Sequence, residues 1–150
     1  MAKSTNDPFL TGASKGPWDR PHSAPKGQLV AILDESGDGL RMKLIANKSR
    51  AARANEINEL AVTDEDAMPG ATVERAAFVA FIELTSGGML IEGDRVEING
   101  ETIGEIAGFN EDAMPNHQTI VVRKTARTTG RQRGYQLGDA ITFVPVFTPV

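Results

Sequence analysis

The chain has 150 residues, 40% of them apolar and 5% aromatic, which is enough for one ordinary core and argues for a single folded domain. It contains no Cys and only two His, His22 and His117, which excludes disulfides, thiolate nucleophiles, Cys-bound iron–sulfur clusters and Cys-ligated zinc. The net charge of −4 conceals a segregation: between Ala54 and Asp112 fourteen acidic residues stand against Arg75 and Arg95 alone, and two basic stretches flank them.

In chain order, residues 1–27 hold Pro8, Pro17, Pro21 and Pro25 among Gly, Ser and polar residues. That composition cannot bury enough surface to offset ordering and predicts a flexible arm, in which Phe9 and Trp18 could dock on the domain or on a partner. The arm shows no secretory pattern, and no segment reaches the roughly 20 apolar residues that span a bilayer, so a cytoplasmic protein is expected. Residues 28–150 form the expected domain. Gln28 to Asp34, SGDG and Leu40 to Ala46 predict a hairpin with Leu40, Met42 and Leu44 inward and Arg41 and Lys43 in solvent. Asn47 to Asn58 predicts a turn or one short helical piece, and Ile57 to Val62 a strand.

Val73 to Leu84 predicts a central strand, because both of its alternating faces are largely apolar. Further short strands are expected at Gly88 to Ile91, Arg95 to Ile98, Thr102 to Phe109, Gln118 to Arg123 and Ala140 to Val146, with an NGE turn before Thr102. Many short strands, each bounded by Gly, Pro or Asp, predict an all-β fold, a small closed or nearly closed β-barrel, since closure removes exposed edges.

EDAMP occurs twice, at Glu65 to Pro69 and Glu111 to Pro115, each followed at similar distance by Gly-Asp, Gly93-Asp94 and Gly138-Asp139. This predicts an internal repeat with pseudo-twofold symmetry. Gly supplies a backbone conformation closed to other residues, and the following Asp can accept backbone amides across the turn. The acidic residues of EDAMP are expected to cap turns rather than to hold cations.

These Gly-Asp dipeptides resemble the Gly-Asp box of cradle-loop barrels. The stretch IEGDRVEINGETIGEIAGFNEDAMPNHQTIVV is similar to the C-terminal half of the glucitol/sorbitol-specific IIA component of the bacterial sugar phosphotransferase system, with Gly93-Asp94, Ala107-Gly108 and His117 ahead of Thr119 to Val122 in matching order. The chain also resembles an uncharacterised bacterial family with a PNH segment. The phosphate-carrying His of the IIA family falls before the Gly-Asp turn, where this chain reads AFVAFIELTSGG, so the resemblance implies the fold rather than that chemistry.

His117 is the single imidazole of the expected domain, and the first EDAMP copy has Ala71 at its place. Histidine exchanges protons near neutral pH, which makes His117 the candidate acid or base, with Asn116 beside it to orient the ring or bind a ligand carbonyl. Glu83 interrupts the apolar alternation of the central strand and is the second titratable candidate; facing outward, it would be an ordinary surface residue. Arg50, Arg53 and Asn55 in a polar loop, with Arg123, are the candidate anion-binding groups.

No metal, no cofactor and no nucleotide loop are expected, and the basic loop TARTTGRQRG lacks the aromatic interleaving that nucleic acid would call for. Three functional readings follow. One is a cofactor-free barrel that binds a small polar or anionic metabolite, with acid/base catalysis such as isomerisation, cyclisation or hydrolysis on it. A second is an interaction or regulatory module whose charged surfaces dock on another protein or on its own copy as a homo-oligomer. The third is a phosphotransfer relic acting through His117.

Overall fold

The computed structural model describes residues 24–146. Twelve strands and no helix are present among them: β1 (Lys26–Ile32), β2 (Ser36–Gly37), β3 (Met42–Lys43), β4 (Ser49–Ala52), β5 (Ile57–Val62), β6 (Thr72–Val73), β7 (Ala76–Ser86), β8 (Gly88–Ile91), β9 (Arg95–Ile98), β10 (Glu101–Asn110), β11 (Gln118–Arg123) and β12 (Ala140–Val144). The fold is all-β. No helix among the described residues is long and apolar enough to cross a membrane.

Seven strands pair in the order β1-β12-β9-β10-β11-β5-β7, and β7 pairs back onto β1, so the sheet closes on itself. Closure gives both neighbours of each long strand a hydrogen-bonding partner and leaves no long edge to template association. β7 is the longest element, eleven residues, and lies between β5 and β1. Its inward Ala80, Ile82 and Leu84 are buried against Leu29, Leu60 and Phe143, while Phe81 and Glu83 alternate onto the outer face. Six of the seven closing contacts are antiparallel; β5 and β11 alone run parallel, with Asn58 beside Gln118 and Val62 beside Val122.

A second, smaller core covers the outer face of β10 and β11. Met42 and Val73 from the β3–β6 ribbon, with Leu44 just after β3, pack there with Ala107 and Val121. Every residue of β11 is therefore buried, inner face and outer face alike.

Several sequence expectations are corrected. The hairpin between residues 28–34 and 40–46 does not form: β1 is taken up by β12 and β7, and β3 pairs with β6 instead, although Met42 and Leu44 do face inward and Arg41 and Lys43 outward. The stretch expected as a turn or helical piece holds β4, whose backbone groups find partners on β8 from Ser49↔Ile91 to Ala52↔Gly88. β1 begins at Lys26, so the last two residues assigned to the arm belong to the sheet, while the arm up to residue 23, with Phe9 and Trp18, lies outside the described residues.

Folding pairs some of the basic flanking residues with acidic ones. Arg50 pairs with Glu56, Arg127 with Asp38 and Asp64, and Lys124 with Glu105. These pairs set part of each basic flank against acidic residues.

The two Gly-Asp turns are built alike. Gly93 and Gly138 have φ of +92° and +88°, in the region that disfavours a Cβ. Asp94 Oδ2 accepts from Ile91 N at 3.1 Å, and Asp139 Oδ2 from Gln136 N at 2.9 Å. Each turn also docks on another strand: Gly93 N donates to Ile106 O and Ile106 N to Asp94 O, while Gly138 N donates to Leu29 O and Leu29 N to Asp139 O.

Candidate functional site

Because β5 and β11 are parallel, both begin at the same end of the sheet, and the segments leading into them run side by side. One lead-in is the turn Arg53 to Glu56, closed by Glu56 N to Arg53 O and by Asn55 at φ +72°. The other is Glu111 to His117, which contains a cis Met114–Pro115 bond. Between them lies a cleft of about 560 Å³, lined by Arg50, Arg53, Asn55 and Glu56 from one side and by Glu111, Met114, Asn116 and His117 from the other, with Asn58 and Gln118 at the strand starts.

The floor is a connected set of polar groups at the mouth of the closed sheet. Arg50 stands over the core ring of Phe109, its Cζ 5.8 Å from the centroid, within cation–π range. Its guanidinium contacts Glu56 Oε1 at 2.5 Å and donates to Asn58 Oδ1 at 3.0 Å. Asn58, 1% exposed, donates in turn to Glu56 Oε1. Burial opposes ionisation of Glu56, but bonds from the Arg53 backbone amide and the Asn58 side chain, together with the Arg50 charge, outweigh it and hold the carboxyl below its usual value. Gln118, 5% exposed, donates through Nε2 to Glu111 Oε2 at 2.9 Å.

His117 sits at the outer side of the cleft with its ring edge-on to Phe81, centroids 4.9 Å apart. Asn116 Nδ2 lies 2.7 Å from Nδ1, and Glu59 Oε1 lies 3.7 Å from Nε2, an ion-pair separation longer than a hydrogen bond. With the Asn116 amide nitrogen toward the ring, Nδ1 is the acceptor of this contact, and the tautomer that matches it carries its proton on Nε2, on the Glu59 side. Glu59 is itself oriented by Thr119, whose hydroxyl donates to Oε1 at 2.8 Å.

The structure thus brings Arg50, Arg53, Asn55, Asn116 and His117 around one cleft, and it does not bring Glu83 or Arg123 there. Glu83 is half-buried on the outer face, opposite Gln28 on β1 and Ile57 on β5. Arg123 is buried beneath the second layer, where it meets Glu92, Glu105 and the Ala67 carbonyl. Burial disfavours its charge, and the carboxylates overcome that and raise its pKa; Glu105 correspondingly titrates below its usual value despite partial burial, held by Arg123 and Lys124. Arg123 is a tie between layers with its donors already spent.

Glu56, Asn58, Glu59, Glu111 and Gln118 escaped the sequence reading. The available signal was Asn58 at an inward position of INELAV, but it becomes visible only once the strand is oriented. Of the EDAMP acids, Glu65 accepts from the backbone amides of Glu74 and Arg75, while Glu111 holds Gln118. No group of three or more His, Asp or Glu able to hold a metal occurs among the described residues. A smaller cleft beside the Asn99 turn contains Arg133, which is committed to Thr128 O, Thr125 Oγ1 and Ala126 O.

Fold and site together define an all-β protein with a closed sheet and one polar cleft where its parallel strand pair begins. The chain belongs to a family of unknown function, DUF6917, whose model matches residues 19–144 and so reaches back into the segment expected to be an arm. No curated protein and no solved structure matches it.

Proposed function

We propose that this protein is a small β-barrel, made of two related halves, that binds a small polar or anionic metabolite in the cleft and exchanges a proton with it through His117. The observation that carries the reading is the convergence of Arg50, Arg53, Asn55, Asn116 and His117 on one concavity, from two loops far apart in sequence. Ligand sites are typically concavities with a few convergent polar groups, and this one adds apolar Ile57, Met114 and Pro115 at its rim.

His117 has the attributes of a base. Its Nδ1 meets the amide of the exposed Asn116, and Glu59 stands behind Nε2 to stabilise the imidazolium that forms when Nδ1 takes a proton from the ligand. Swinging Asn116 aside would free Nδ1 and offer its amide to the ligand. The barrel of two halves draws on the matching strand sets β12-β1-β7 and β9-β10-β11. Gly27 faces Ile141 and packs on the Glu83 carbonyl, as Gly104 faces Val96 and packs on the Arg123 carbonyl. The β9–β12 register, with Glu97 opposite Thr142, is unchanged when the halves are exchanged.

The test is a titration of ¹⁵N-labelled protein with a panel of small carboxylates, phosphates and amino acids, followed at the Asn58 and Gln118 side-chain amides. Saturable shifts confined to the cleft and lost in Arg50→Met are expected. Absence of any saturable shift there, or shifts that persist in Arg50→Met, would overturn the reading. A second reading, self-association, draws on Ile57 and Met114, 48% and 50% exposed at the cleft rim. It requires a sedimentation mass that rises with concentration and falls in Met114→Gln.

A further inference from the structure

We infer that the ligand of this cleft is a small zwitterion, an amino-acid-like molecule that carries a carboxylate and a protonated nitrogen on an apolar body. This rests on the cleft being a ligand site and specifies what it selects. Arg50 and Arg53 supply two positive charges, and Glu56 and Glu111 two negative ones. A site that is balanced overall but whose free charges sit on opposite walls favours a ligand bearing both signs, and it penalises either sign alone by leaving one wall facing a like charge or an unpaired group.

Glu56 is spent on Arg50, Asn58 and the Arg53 backbone, so the groups left over decide the selectivity. On the β4–β5 side, the Arg53 guanidinium is exposed and has no hydrogen bond or ion pair among the described residues, and Arg50 Nε is buried without a partner. Both can only donate, and Arg pairs well with carboxylate. On the β11 side, Glu111 uses one carboxylate oxygen on Gln118. Gln118 is itself 95% buried, and its Oε1 has no donor.

The amide cannot be turned round, because Oε1 would then face the Glu111 carboxylate. The β11 wall therefore presents the exposed Glu111 carboxylate and holds, buried in it, a carbonyl oxygen that lacks a donor, both acceptors. A buried acceptor with no donor is costly, and an ammonium or other N–H group that pairs with Glu111 can satisfy it once the Gln118 side chain tilts its oxygen toward the cleft. Asn58, beside Gln118 and bonded to Arg50, holds the two walls in register. Ile57 and Met114 at the rim give the apolar body a surface.

Matched triads of probes test this: leucine, methionine and phenylalanine, each beside its deaminated acid and its decarboxylated amine, titrated into the full chain and followed at the Gln118 side-chain amide and Arg50 Nε–H. At least one amino acid is expected to bind about tenfold or more tighter than both of its truncated partners, the discrimination of one added charged contact. Glu111→Gln should erase the advantage over the acid while the acid still binds, and Arg53→Gln should erase the advantage over the amine. Acids, phosphate or amines that bind the cleft as tightly as every amino acid would overturn the inference while leaving the cleft a ligand site. No perturbation by any probe would overturn both.

Discussion

Replacing Glu56 by Gln isolates the charge that organises the cleft floor. Glu56 Oε1 receives Arg50 and Asn58, and Oε2 receives the Arg53 amide at 3.1 Å. A Gln at this position has one acceptor oxygen, so its NH₂ must face either the Arg53 amide or the Arg50–Asn58 pair, donor against donor. Loss of a charge-assisted bond costs about 1.5–3 kcal/mol, and because Glu56 is a quarter exposed, water recovers part of it, leaving about 1–2 kcal/mol. The folded-state pKa of Glu56 lies below the unfolded one, so its stabilisation is complete above the unfolded value near 4.5 and is lost as pH falls through the folded value. Urea denaturation of both proteins should therefore show a gap at pH 7 that closes on acidification below about 4.5. A gap of equal size at pH 3 would mean that the loss is one of shape rather than charge, and the account of the floor would be wrong.

Arg123→Met should cost more, about 3 kcal/mol by urea denaturation, because it strands Glu92 beneath the second layer and leaves Glu105 with Lys124 alone, and its cost should also shrink in acid as Glu105 protonates; an unchanged midpoint would refute its role as a tie. Gly27→Ala places a Cβ 2.5 Å from the Glu83 carbonyl oxygen and should destabilise by about 2 kcal/mol or prevent folding, against a surface substitution such as Lys26→Ala at about 0.5 kcal/mol or less. Asn116→Ala should leave stability within about 0.5 kcal/mol, since the residue is exposed, yet shift the ¹⁵N resonance of His117 Nδ1; an Nδ1 signal unaltered by the change would remove Asn116 from the ring's environment.

Alternation of apolar residues in AAFVAFIELTS and short Gly- and Asp-bounded runs made the all-β class and the central place of β7 readable, because a period of two is a local property of the chain. Pairing was not local in the same way. The partner of β1 lies more than a hundred residues on, at β12, and the false hairpin came from reading the nearest strand as the neighbour. β4 was missed because Ser49 and Ala52, its buried residues, carry little apolar signal, and its strand character comes from β8. At the site, His117 and the Arg50 loop stood out by residue type. Glu83 and Arg123 stood out equally, and only the fold shows one on the outer face and the other spent in a buried ion network.

Topology explains why the cleft lies where it does. On the proposed relation of halves, β12, β1 and β7 correspond to β9, β10 and β11, which leaves β5 without a counterpart, opposite the β9–β12 pair in the closed order. A twofold perpendicular to the strands reverses strand direction, and a single strand lying on it cannot be its own reverse. β5 must therefore run antiparallel to one neighbour and parallel to the other, and it does so with β7 and β11 respectively. An antiparallel pair in this position would place the start of each strand at opposite ends of the sheet. The odd strand instead sets two starts side by side, so that the Arg53–Glu56 turn and the Asn116–His117 segment share one mouth. The unmatched strand also contributes Asn58 to the floor and Glu59 behind the imidazole, so on the proposed relation of halves the site is assembled where their symmetry must break.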